Sequence, residues 1–307
     1  MIVFRKNIMD ETEENIRPMP WETVKVKDCN RTLEVMWALH QNKLCRITRI
    51  DSETYIENAT GEVKQFQHIE NRAQDKNGVR VSLARLRDYL NTNINDVKKC
   101  RWVTLTYAEN MTDSKRLHDD FFIFNRRCRK AYGNYEYITA AEPQGRGAWH
   151  LHVVMIWPEK APFIPNEKLR QLWGQGFVVI KKLEDVDNVG AYLTAYLGDM
   201  DLKEMMENGE IPVNCEIKDV ETDDEKTGKR IKKRIVKGAR LHLYPPNFNL
   251  YRCSKGIKKP VIEYMLEKNA QKKVRAGTLT YEKTIELDTQ KGFQNTLNYR
   301  YYNMVSK

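Results

Sequence analysis

Between Arg101 and Asp199 the hydrophobic period switches repeatedly between two and about 3.6 residues, and this alternation restricts the fold more than any other property of the chain. RWVTLTY (101–107) is a β-branched and apolar run, as a strand requires. TDSKRLHDDFFIFNRRCRKAYG (112–133) opens on capping residues, carries apolar positions at helical spacing and closes on Gly133. NYEYITAAE (134–142) and AWHLHVVMIW (148–157) are two strands joined by PQGRG, whose proline and two glycines mark a hairpin turn. NEKLRQLWGQG (166–176) is a short helix ended by glycine, FVVIKKL (177–183) a strand, and DVDNVGAYLTAYLGD (185–199) a helix capped by an acidic residue or Asn188.

This order predicts an α+β chain built on a ferredoxin-like (split βαβ, RRM-like) antiparallel sheet with helices on one face, plus N- and C-terminal extensions. The sequence divides into an accessory region over 1–95, a core over 96–200, and a basic region over 201–307 that completes or flanks the core. Residues 1–95 hold a hairpin-like stretch, KLCRITRIDSETYIENATGEVKQF, and a short amphipathic helix, SLARLRDYLNTN, but no chemical motif. The C-terminal region carries Lys229, Arg230, Lys232, Lys233, Arg234 and Lys237, a run that suits either a solvated charged hairpin or contact with nucleic acid. It continues into YPPNFNLYRCSKGIKKP, with three prolines and interleaved aromatic and basic residues, and then into the helix-like VIEYMLEKNAQKKV.

With 307 residues, 41% of them apolar, the chain can bury an ordinary core in one large or two smaller domains. No apolar run approaches the roughly 18 to 20 residues needed to cross a bilayer, and the N-terminus turns charged too early for a secretory signal. A cytoplasmic protein with no membrane partner is expected. The six cysteines are scattered without a CxxC pair, which argues against a zinc site or a disulfide framework. Lys plus Arg exceed Asp plus Glu by 52 to 42, giving a net charge of +10 and favouring a polyanionic partner.

The histidine strand carries the first chemical signal. Positions i and i+2 of a strand share a face, so His150 and His152 look out together while Leu151 faces the other way. Alone, such a pair is an ordinary surface or hydrogen-bonded pair. The PQGRG turn folds Glu142 back beside it, and two neutral imidazoles with one carboxylate form a three-ligand set suited to Mn²⁺ or Mg²⁺. Glu142 taken alone is equally a surface carboxylate paired with Arg146. Further on, AYLTAYL places Tyr192 and Tyr196 one helical turn apart, a spacing met in core aromatics and also in paired nucleophiles. A tyrosine hydroxyl, with a pKa of about 10, needs a base, a cation or a metal-polarised electrophile to attack at neutral pH.

Together these residues resemble the HUH-type endonucleases, specifically the rolling-circle replication initiator (Rep) proteins of small plasmids and single-stranded DNA phages. RWVTLTY is similar to the family's first motif, WHLHVV to its histidine-hydrophobic-histidine motif with Glu142 where the acidic third ligand stands, and NVGAYLTAYL to its tyrosine motif. LYPPNFNLYRCSKGIKKP is similar to the segment that follows the nuclease core. The resemblance implies a nuclease core over 96–200 in which Tyr192 attacks a phosphate of single-stranded origin DNA, leaving a 5′-phosphotyrosine and a 3′-OH for a host polymerase. It further implies a divalent ion on Glu142, His150 and His152, and Tyr196 as the alternate nucleophile at termination. Many single-tyrosine relatives carry a lysine three residues after the nucleophile, where this chain has Ala195. Lys181 or Lys182 is the expected substitute, and with the basic run from Lys229 to Arg234 they are the expected DNA contacts. No GxxxxGK[ST] motif is present, so a separate host helicase is expected. Two alternatives remain: a relaxase or transposase with the same chemistry, and a non-catalytic RRM-like module that binds single-stranded nucleic acid.

Overall fold

The computed structural model describes residues 2–4, 15–41, 45–183, 190, 194, 198–207, 216–223, 230–289 and 294–304. Its contacts cluster into two units, Glu70–Lys259, and Met1–Ile69 with Pro260–Lys307. The elements of the first are numbered here in chain order.

Helix α1 (Lys76–Asn93) starts where the Asp75 carboxylate accepts from the Gly78 amide, and it buries Val79, Leu86 and Leu90 along one stripe. Strand β1 (Cys100–Thr106) leads to α2 (Ser114–Tyr132), capped by Asp113 and stopped at Gly133, whose φ of 78° favours glycine. Leu117, Phe121, Phe124 and Cys128 recur at i, i+4, i+7 and i+11, so α2 presents a single buried face. Strands β2 (Glu136–Pro143) and β3 (Trp149–Ile156) form the expected hairpin, closed by the Gln144 amide donating to Ala148 O at 2.7 Å. Helix α3 (Asn166–Trp173) ends on Gly174 in the left-handed conformation, and β4 (Val178–Lys181) follows.

These strands assemble with β8 (Tyr251–Cys253) into a five-stranded sheet of order β4-β1-β3-β2-β8, antiparallel throughout. On one face Val103, Leu105, Leu151, Val153 and Met155 pack with Leu117, Phe121 and Phe124 of α2 and Leu169 and Trp173 of α3. On the other face Ile138, Ala140 and Val154 pack with Leu86, Leu90 and Ile94 from α1 and its C-terminal end. The helices are therefore not confined to one face, as the sequence suggested: α2 and α3 share a side and α1 covers the opposite one. The cause is that both faces of the central strands carry apolar residues, and each needs a layer over it.

The same unit holds a smaller sheet, β5 (Met200–Asp201), β7 (Arg230–Val236) and β6 (Ile217–Asp223), in the order β5-β7-β6, with α4 (Leu202–Glu207) beside it. The basic run from Arg230 thus lies on a strand paired to an acidic partner strand, with Glu221 opposite Lys232 and Asp219 opposite Arg234.

In the second unit, six antiparallel strands run in the order Ile2–Phe4, Thr278–Thr289, Gln294–Asn303, Thr32–Ala38, Thr23–Asp28 and Val261–Leu266. The helix Glu267–Val274 packs Ala270 and Val274 against Val24, Val26, Leu33, Val35 and Trp37. The stretch VIEYMLEKNAQKKV is therefore half strand and half helix: Val261–Leu266 pairs with Thr23–Asp28, and only Glu267 onward is helical. A separate three-stranded sheet, Ile47–Arg49, Thr54–Glu57 and Glu62–Gln65, turns at Gly61.

No helix among the described residues is long and apolar enough to cross a membrane.

Candidate functional site

The alternation of β3 sends Leu151 and Val153 into the core beneath α2 and turns His150 and His152 to the opposite face. Register fixes their neighbours. Glu142 on β2 and Thr106 on β1 stand opposite His150, while Ala140 and Thr104 stand opposite His152. Directly opposed residues share a face, so Glu142, both histidines and both threonines lie on one side of three adjacent strands.

The carboxylate binds diagonally. Glu142 Oε2 meets His152 Nε2 at 3.0 Å, and Oε1 accepts from Arg240 Nη1 at 2.8 Å and from the Gly198 amide at 3.3 Å. The ring of His152 is held from its other side by Thr104 Oγ1, 3.3 Å from Nδ1. With Nε2 donating to the carboxylate, Nδ1 accepts from the threonine hydroxyl. Trp102 flanks the same imidazole at 6.2 Å between ring centroids, and the two histidine rings are 6.4 Å apart.

His150 differs from its partner. Its Nε2 is buried with no hydrogen-bond partner among the described residues. Burial first, and then the charges of His152 and Arg240, push its pKa down to about 4 against the pull of Glu142, so the imidazole is neutral at pH 7 with a lone pair to offer. Glu142 is only 8% exposed. Burial alone pushes its carboxyl up, but the His152 hydrogen bond and charge together with Arg240 outweigh this, and it sits below the ordinary glutamate value. The alternative partner from the sequence, Arg146, instead donates to Gln144 Oε1 at 3.0 Å.

Tyr192, Tyr196 and Ala195 lie outside the described residues. Gly190 and Thr194 are helical, and the residues that bracket the tyrosines in sequence are both tied down. The Gly190 amide donates to Asn91 Oδ1 on α1 at 2.8 Å, and the Gly198 amide donates to Glu142. A Cβ at Gly190 would stand 2.4 Å from Arg87 O, so this approach to α1 requires glycine.

Lys181 and Lys182 are exposed at the end of β4. Lys181 is opposite Trp102, which sets its side chain on the histidine face. Lys229 lies outside the described residues. Arg230 and Lys233 are on β7, where Lys232 and Arg234 are exposed. The loop after β7 brings Arg240 to Glu142, and the Arg240 amide donates to Gly198 O at 2.9 Å.

Three participants were not singled out from the sequence: Arg240, Thr104 and Asn91. The alternating threonines of RWVTLTY were a usable signal for Thr104, since they mark the polar face of that strand. Among the described residues no three His, Cys, Asp or Glu side chains stand in a metal-holding arrangement.

Residues 100–201 match a family model, that of the ORF2-type Replication-associated protein. The match runs from the first residue of β1 to the last of β5 and contains Glu142, His150 and His152. Over that region the chain is similar to replication initiators of the Rep type. No curated protein and no solved structure matched the chain.

Proposed function

We propose that this chain is a metal-dependent HUH-type endonuclease that nicks and rejoins single-stranded DNA through a 5′-phosphotyrosine, initiating and terminating rolling-circle replication. The observation that carries this reading is the convergence of Glu142, His150 and His152 on one sheet face within the region similar to replication-associated proteins. The order β4-β1-β3-β2, with α2 and α3 as crossovers, supports a ferredoxin-like split βαβ core.

The donor set suits a divalent ion. His150 offers a buried Nε2, unpartnered among the described residues, on a ring kept neutral, and Glu142 and His152 supply a carboxylate oxygen and a second imidazole. Mn²⁺ or Mg²⁺ held by these three would withdraw charge from a phosphate oxygen as a Lewis acid. Thr104 orients His152, as outer partners of ligating histidines do, and Arg240 and the Gly198 amide orient Glu142.

In this reading the Tyr192 hydroxyl attacks phosphorus, a tyrosyl O–P bond forms, and the bond from phosphorus to the 3′ oxygen breaks. The phenol proton leaves and the 3′ oxygen takes one up, giving a free 3′-OH for a host polymerase. Tyr196 acts in the return transfer. Lys181, on the histidine face, takes the place of the lysine missing at Ala195, with Lys182 beside it. The run of Lys229, Arg230, Lys232, Lys233 and Arg234 contacts DNA phosphates. A host helicase opens the template. A relaxase or transposase would use the same steps on another substrate.

A second reading, a non-catalytic single-stranded nucleic-acid-binding module, draws on the Glu142 carboxylate being already engaged by His152 and Arg240. One assay separates them. The full chain is incubated with Mn²⁺ and a library of single-stranded oligonucleotides and run on a denaturing gel. A nickase gives a denaturation-resistant protein-DNA adduct that Tyr192→Phe abolishes; a binder gives none.

A further inference from the structure

The outer edge of the five-stranded sheet carries a groove that none of this chemistry uses. It has a volume of about 500 Å³ and lies between α1 and the segment around β8, lined among others by Arg72, Arg85, Tyr89, Tyr251, Arg252 and Lys259. Arg85, Arg252 and Lys259 are exposed and make no ion pair among the described residues, while Arg72 is held by Asp75 at 2.9 Å. Among the described residues no carboxylate lines the groove. Tyr89 and Tyr251 meet at 5.8 Å between ring centroids, both half-buried, so an aromatic wall stands among the cations.

We infer that this groove holds a stretch of single-stranded nucleic acid on the flank of the Glu142–His152 site, with Arg85, Arg252 and Lys259 on phosphates and Tyr89 and Tyr251 against bases. Two observations favour that occupant. Exposed cations beside aromatic side chains are the combination that binds a flexible polyanion with stackable bases, because the charges follow the backbone and the rings accept any base. The groove is also continuous with the site: Tyr251, Ala140 and His152 are successive partners across β8, β2 and β3, which puts Tyr251 two strands, or about 10 Å, from His152 on the same face. A strand of a few nucleotides covers that span. This assignment rests on the nucleic-acid reading of the site but not on cleavage.

The test uses the full chain, a fluorescein-labelled single-stranded oligonucleotide and anisotropy titrations at several salt concentrations without metal. The triple variant Arg85→Ala, Arg252→Ala, Lys259→Ala should bind at least tenfold more weakly at moderate salt. Its slope of log K against log salt should fall by about 2, since each lost phosphate contact removes roughly 0.7 on a single strand. The charge-retaining variant, with Arg85→Lys and Arg252→Lys and Lys259 kept, should recover the slope. A folded alanine variant, verified by circular dichroism, with unchanged affinity and slope overturns the assignment. So does an equal loss of binding to polyglutamate, which marks a general polyanion surface. Adduct formation reports separately: adducts with unaffected binding by the triple variant sink the groove and keep the nickase, whereas weakened binding without adducts in any variant sinks the nickase and keeps the groove.

Discussion

Glu142 stands opposite His150 in the strand register yet gives its hydrogen bond to His152, one row away. His152 is consequently tied on both ring nitrogens, to Glu142 and Thr104, while His150 is left with a buried Nε2 that no described residue satisfies. An unsatisfied buried polar atom costs free energy, and removing it with an apolar group of like shape is near neutral or stabilising. His150→Leu should therefore leave the urea midpoint unchanged or raise it. His152→Leu breaks two hydrogen bonds and should lower stability by about 1–3 kcal/mol. Equal losses for the two variants in urea titrations would remove the case for His150 as a residue kept for chemistry at the expense of stability.

The central sheet was legible because its signals are local: alternation in WHLHVV, helical spacing from Leu117 to Cys128, and glycine at 133 and 174. The convergence of Glu142 on the histidines followed from one turn. Arg240 was not legible, since it reaches Glu142 across 98 positions and no local pattern announces that. The packing of α1 was hidden for a related reason. An amphipathic stripe says that a face is buried but not against which sheet. In VIEYML the adjacent apolar pairs Val261–Ile262 and Met265–Leu266 fit either period, and pairing with Thr23–Asp28, far away in sequence, selects the strand.

The anchoring of Gly190 to Asn91 predicts a positional role for both. At Gly190 an added Cβ would meet Arg87 O at 2.4 Å and Asn91 Oδ1 at 2.8 Å, and backbone cannot yield as a flexible side chain does. Gly190→Ala should shift the chain ahead of Tyr192 and cut adduct yield by about tenfold or more, while metal-free oligonucleotide binding stays near the wild-type value. Asn91→Ala leaves the Gly190 amide unpaired and should cost about 1–3 kcal/mol in urea titrations. Wild-type adduct yield from Gly190→Ala would sink this role.

In the other unit the buried charge pair decides stability. Glu267 is fully buried and receives Arg300 Nη1 at 2.6 Å and Nη2 at 2.7 Å. Glu267→Ala strands the guanidinium without that counter-charge, which should cost about 3–5 kcal/mol. The double variant Glu267→Leu, Arg300→Met removes both charges and should regain most of that loss, because an apolar pair needs no mutual compensation. Chemical denaturation of the three proteins checks the ordering; a double variant as weak as the single one contradicts it.

Acid sensitivity follows from Glu282. It accepts from Arg17 Nε at 2.8 Å and Asn298 Nδ2 at 3.1 Å. Burial pushes its carboxyl up, but the hydrogen bonds from Arg17 and Asn298 and the charges of Arg17 and Arg300 outweigh this and hold it below the ordinary glutamate value. A depressed folded-state pKa contributes stability that is fully present above the unfolded value, about 4.3, and is lost as pH falls through the folded value. Glu282→Gln should thus be less stable than wild type at pH 7, by about 1–3 kcal/mol for the loss of charged hydrogen bonds. That difference should shrink steadily below about pH 4.3, where the wild-type carboxylate itself protonates. Urea midpoints of both proteins at pH 7, 5 and 3 measure the gap, and a gap that stays constant across that range would show that the Glu282 charge is not the acid-sensitive element.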